Sequence, residues 1–248
     1  YTNMTADEWK SDFKDLLYIA NDLYESKVLE LKNETKFVDL NYESLNRLTT
    51  KALTLKLIEG NQDKVFTRLV SFIPADSMPV DLANLDFSEV SDWKSEGSAL
   101  VYTIKEAAPI IDSMNSGEEL TLQTLDTKAL DGAIDKATDS KIAVQLIPSI
   151  VQGVFDSVDV AGSLGLTERY VIPEITDWKK EGKALVNVVD GIKDCSDLAL
   201  GVMKLNPDIL LASKMITDLS VLTVSSLNQR EGLDILVIPY DRNASEWY

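Results

Sequence analysis

Carboxylates are the one abundant reactive group in this chain. It carries 41 Asp and Glu against 24 Lys and Arg, a formal net charge of -17, and no histidine. The missing histidines remove the commonest general base near neutral pH and the commonest transition-metal ligand. A single cysteine, Cys195, excludes an internal disulfide. It falls in a helical-looking stretch, Gly191 to Leu198, and reads as a small buried residue, because a thiol nucleophile ordinarily needs a histidine to activate it. Glu96 and Glu181 each stand three residues after a tryptophan and could be imagined in acid–base or glycosidic chemistry. Their recurrence at matching places argues for structure, since a catalytic pair is built at one site and not in every copy of a unit.

Calcium is the other chemistry that acidity suggests. The nearest acidic, glycine-containing loop runs from Asp112 to Leu120, but Met114 occupies a position where an EF-hand requires an oxygen ligand. The segment reads instead as a helix-to-helix turn, with Ser116 and Gly117 ending one helix and Glu118 and Glu119 opening the next. Asn3, Asn33 and Asn243 begin N-glycosylation patterns, which matter only in a secreted eukaryotic chain. No phosphate-cradling glycine loop and no nucleophile elbow is present. No catalytic, cofactor-binding or metal-binding residue is therefore assigned, no cofactor is expected, and the chain is expected not to be an enzyme.

The elements that would carry such side chains are organised as a repeat. Trp9, Trp93 and Trp178 are separated by 84 and 85 positions. Asp92 to Val101 matches Asp177 to Val186 at eight of ten positions. The stretch from Glu8 to Leu17 is more diverged, yet keeps an acid before Trp9, Lys10 after it, a second acid at Asp12 and an apolar pair at its end. Asp7, Ser91, Thr176 and Ser245 are expected N-caps, followed by Glu8, Asp92, Asp177 and Glu246 in the first turn, with each tryptophan at the second helical position. Leu16, Leu100 and Leu185 lie seven residues after their tryptophans, and Ala20, Ile104 and Val189 lie eleven after, on one helix face. These three tryptophans and three leucines are the expected repeat-packing residues.

Two further helices complete each copy. Leu48 to Leu53 resembles Leu125 to Leu130, and Leu205 to Leu210 follows with Asn206 as N-cap and Pro207 at the first helical position. A last helix is expected after Asn61, Thr138 and Thr217, with Val65, Ile142 and Val221 on its buried face. The expected fold is mainly α: tandem three-helix repeats of about 85 residues joined by short extended connectors, at 1–88, 89–173 and 174–243, with 244–248 the start of a truncated further copy. Pro74 to Asp92 reads as a loop. Arg169 to Pro173 and Ile235 to Pro239 read as short strands or extended links.

Composition narrows the partners. With 45% hydrophobic and 26% charged residues, the chain can bury a core and is not of a disordered type. Its negative field repels phosphate backbones and anionic lipids, so neither nucleic acid nor a membrane surface is an expected partner. No apolar run, Ile142 to Ile150 included, is long enough to cross a bilayer. The chain begins at Tyr1, as a piece of a longer or processed protein would.

The Trp-Lys-x-acid repeat with leucine-rich helices resembles helical tandem repeats in very large exported proteins of Firmicutes and mollicute-like bacteria. That resemblance implies a bacterial cell-surface or extracellular location and a stalk or adhesive role. The expected partners are neighbouring repeats of the same chain, with other proteins or self-association beyond them. The alternative function is a helical binding module that holds a peptide or an apolar ligand between helices.

Overall fold

The computed structural model describes residues 4–31, 35–74, 85–117, 120–121, 124–158, 171–172 and 174–193. Among them it contains seven α-helices and no strand. They are α1 (Ala6–Glu25), α2 (Tyr42–Thr54), α3 (Gln62–Val70), α4 (Trp93–Asn115), α5 (Thr127–Thr138), α6 (Ile147–Ser157) and α7 (Trp178–Lys193). Two compact units divide the described residues: Tyr1–Leu120 with Lys128–Val154, and Thr121–Thr127 with the chain from Phe155 onward.

The helix starts differ from expectation in a consistent way. Asp92 caps α4, its carboxylate accepting from the backbone N–H groups of Lys94 and Ser95, both at 3.1 Å. Asp177 accepts from the N–H of Lys180 at 3.1 Å, and its carbonyl accepts from Glu181. Ser91 and Thr176 therefore lie one residue outside the caps, and Trp93 and Trp178 take the first helical position. A charged carboxylate facing the positive end of the helix dipole is at least as good a cap as a hydroxyl, and here the aspartates win. α1 begins earlier still. Thr5, not Asp7, is its N-cap, in a reciprocal box where Glu8 accepts from the Thr5 N–H at 2.7 Å. Trp9 becomes the fourth residue of the helix.

α2 lies between α1 and α4 and packs on both. Its buried residues Leu45, Leu48, Thr49, Ala52 and Leu53 recur at helical spacing. α4 approaches closely at Gly97, where a β-carbon would stand 2.6 Å from Leu53 Cδ1 and 2.8 Å from Thr49 Cγ2. α3 starts after Asn61 as expected and brings Phe66 against Phe87 and Trp93, with ring centres 5.5 to 6.0 Å apart. Phe87 comes from the expected loop, whose described part, 85–92, has no helix. Gln145 holds that part in place, accepting from the Asp86 N–H and donating to the Asp86 carbonyl, both at 2.9 Å. α4 ends as expected, at Ser116, followed by Gly117 with φ of +69°.

The middle and last helices need one correction of register. Leu48 to Leu53 lies in the last half of α2, whereas Leu125 to Leu130 straddles the start of α5, so the two segments are not equivalent. Thr54 ends α2 and Thr138 ends α5, 84 positions apart like Trp9 and Trp93. Thr138 thus closes a helix where it was expected to precede one. The chain turns through Ser140 and a short 3-10 stretch, Ala143–Leu146, before α6. A run of leucine and alanine at near-helical spacing matches itself at several offsets, which is how the shorter match misleads. Ile142 is fully buried, but in the turn before the helix. Residues 171–172 of the expected link carry no strand. Glu118, Glu119, Cys195, the three glycosylation asparagines, 205–210, 217–221, 235–239 and 244–248 lie outside the described residues.

Gly97→Leu is expected to destabilise the chain by about 1–3 kcal/mol through overpacking against α2, despite leucine's better helix propensity. Urea unfolding followed by far-UV circular dichroism measures it.

Candidate functional site

The described residues bring four acids into the interior and give two of them, Asp12 and Glu96, backbone partners. Asp12, Asp22, Glu96 and Glu181 are all buried. Asp12 sits three residues after Trp9 on α1, and its carboxylate accepts from the Leu57 N–H at 2.7 Å. Glu96 sits three after Trp93 on α4 and accepts from the N–H groups of Lys141 at 3.1 Å and Ile142 at 3.0 Å, and from the Ser140 hydroxyl. Leu57 is three residues past the end of α2, and Lys141 is three past the end of α5. In each case an acid near the start of one helix holds the turn that follows the next. Glu181 occupies the corresponding place on α7.

Such carboxylates are poor candidates for catalysis. Their lone pairs are committed to fixed N–H donors, and a general acid or base must reach a substrate. Asp112, the first residue of the loop considered for calcium, is likewise engaged. It accepts from Phe37 at 2.8 Å and Val38 at 2.9 Å, fixing the short turn Phe37–Asp39 against α4. No group of acids, cysteines or histidines among the described residues is arranged to hold a metal ion. Beside Asp112, the buried Tyr42 hydroxyl donates to the Phe37 carbonyl at 2.9 Å. Burial, and then the nearby Asp112 charge, push its ionisation well above the ordinary tyrosine value. Asp22 is paired with Arg47 at 2.8 Å.

The six expected packing residues are placed unequally. Trp178, Leu100 and Leu185 are buried, and Trp93 is half-buried in the aromatic cluster with Phe66 and Phe87. Trp9 and Leu16 are exposed on α1. In the second unit, α7 is tied at its far end, where the Thr127 hydroxyl donates to Asp190 at 2.6 Å.

Sequence reasoning missed one concave surface. α1, α2 and α3 leave a solvent-open groove of about 460 Å³ between Ile19, Leu23, Leu57, Val65, Leu69 and Phe72. Lys64 and Arg68 stand at its edge, with the Arg68 guanidinium 5.9 Å from the Phe72 ring centre. The signal was present in the α3 sequence, where apolar and cationic residues alternate at helical spacing. It could not be read without knowing that α1 stops short of covering them.

No helix among the described residues is long and apolar enough to cross a membrane. The chain matches no protein-family model, no curated protein and no solved structure.

Glu96→Ala would leave the Ser140 hydroxyl and the Lys141 N–H without their acceptor and the Ile142 N–H with the Ser140 hydroxyl oxygen alone, at about 2–4 kcal/mol. Hydrogen exchange should show Lys141 and Ile142 losing protection more than Leu57, and the melting temperature should fall.

Proposed function

We propose that the chain is a segment of an extracellular structural or adhesive protein, built from three-helix repeats of about 85 residues and acting as a stalk or protein-interaction surface. The observation that carries this reading is the pair of acid-to-turn bonds. Asp12 to Leu57 and Glu96 to Lys141 join positions that are each 84 apart in sequence. Repeats of this kind stack so that each leans on its neighbour, and repeated residues serve packing. The position of α2, packed on both α1 and α4, fits that scheme. The commitment of Asp12 and Glu96 to backbone donors supports a non-catalytic role for those two acids. The cell-surface location rests on the resemblance to exported bacterial repeat proteins, and the acidic, cysteine-poor composition is compatible with it.

A repeat tolerates insertion of a whole unit; a single non-repeating globule does not. A chain with residues 89–173 duplicated in tandem is expected to be soluble and to keep its helical signal per residue. Aggregation or loss of helicity in that chain, with the parent protein folded, would refute the repeat organisation.

The groove beside α3 favours the second reading, a module that holds an apolar ligand. Its volume is within the range of small-molecule sites, roughly 300–1,000 Å³. Two cations at its edge suit an apolar chain with an acidic head. A fluorescent long-chain fatty acid is expected to bind, and the double variant Lys64→Glu, Arg68→Glu to weaken it by roughly tenfold. Titration by fluorescence decides, and indifference to both charges would dismiss this reading.

A further inference from the structure

Two spaces lie on either side of one short helix. The groove described above follows the flank of α3 that faces α1, with Val65, Leu69 and Phe72 on one wall and Ile19 and Leu23 on the other. A second void, of about 30 Å³, lies under the flank that faces α4, between Leu45, Phe66, Val70, Leu100, Val101 and Ile104. Leu48 of α2 and Leu69 of α3 line both spaces and form the partition between them. Helical spacing explains the division, since Leu69 falls between Val65 and Phe66 on the apolar face of α3. The two leucines are held differently. Leu48 is 1% exposed, whereas Leu69 is half-buried at the second-last residue of a nine-residue helix. A change of rotamer at Leu69 therefore displaces little. The void has room for a water-sized group, but only Thr49 among its walls carries a polar side-chain atom, and a buried water needs about two to four partners. An alkyl end group needs none, and it would restore the dispersion contacts that the void forfeits.

We propose that the groove and the void are one site for a single unbranched alkyl chain with an anionic head, and that Leu69 sets the chain length it accepts. The head sits at Lys64 and Arg68, the chain lies along the groove, and its last carbons enter the void when Leu69 swings aside. The proposal rests on the ligand-binding reading of the groove given above. Charge and shape select the occupant. No described carboxylate lines the groove, and neither Lys64 nor Arg68 stands in an ion pair among the described residues. Fields are screened beyond about 8 Å at physiological salt. These two cations, and not the net charge of -17, therefore act on a head group at the edge. An opening made by displacing one leucine passes an unbranched chain and stops a ring or a branch.

Titration of the full chain with straight-chain acids from octanoate to hexadecanoate is expected to show affinity rising about fourfold per methylene and levelling off once the void is full. Leu69→Ala should move that plateau to longer chains, with hexadecanoate gaining about fourfold or more. A second measurement leaves the partition intact. Hexadecanoic acid brominated at its terminal carbon should quench Trp93, whose ring centre is 6.0 Å from that of Phe66 in the void wall. The same acid brominated beside its carboxylate should not, and Trp93→Phe should remove the quenched signal. Quenching that ignores the position of the bromine, or a chain-length profile that Leu69→Ala leaves unmoved, overturns the proposal and leaves the groove as a binding site. If none of these acids binds, the groove reading falls, and this proposal with it.

Discussion

A carboxylate cannot sit inside a protein without donors around it. Burying an ionised group unpaired costs far more than a domain can spare, and hydrogen bonds to fixed N–H groups remove most of that cost. Asp12 and Glu96 meet this condition with the backbone of the turn after the next helix. The constraint runs both ways. The turn's N–H groups have no helical partner and need an acceptor, while the acid needs them to be buried at all. One bond therefore fixes the angle at which the second helix leaves the first and the place where the third begins. Two of the four buried acids, Asp12 and Glu96, thereby serve as joints.

Much of this was legible from the sequence, for identifiable reasons. Trp9, Trp93 and Trp178, with the acids three residues on, announced three helix starts of one kind. Those starts exist, within one or two residues of the expected caps. The helix after Asn61 and the stop at Ser116 and Gly117 were marked by residues whose backbone preferences are strong. The Leu48–Leu53 and Leu125–Leu130 match misled because leucine and alanine carry little positional information: one lies in the last half of α2 and the other straddles the start of α5. Burial of Asp22 and the turn-holding role of Asp112 could not be foreseen. Both depend on donors 25 and 75 residues away in sequence, Arg47 and Phe37.

The groove and the outer face of α1 share an origin. α1 is tied to α2 through the Asp12 bond, the Asp22–Arg47 pair and the Asp15–Lys51 pair at 2.6 Å, all of which lie on one side of the helix. That side is polar for a helix packed on a neighbour, and it leaves Ile19 and Leu23 only partly covered. α4 is anchored differently. Leu100, Val101, Ile104, Ala107, Ala108 and Ile111 bury apolar surface on both sides of the helix. Each fully buried aliphatic side chain of Leu, Ile or Val size contributes about 1.5–3 kcal/mol, so α4 is the hydrophobic keel of the first unit and α1 is held largely by polar contacts.

That contrast comes down to side-chain volume at a single offset. Gly97 lets α2 come within van der Waals reach of the α4 backbone, and the same offset on α7 is Gly182. A phenylalanine there forbids such an approach, and α1 has Phe13. A helix that received an α2-like neighbour in the α4 manner would have to lose that ring or displace its partner by several ångströms. The outer stripe of α1 keeps Trp9, Phe13 and Leu17 in water, a contiguous apolar patch rather than isolated surface residues.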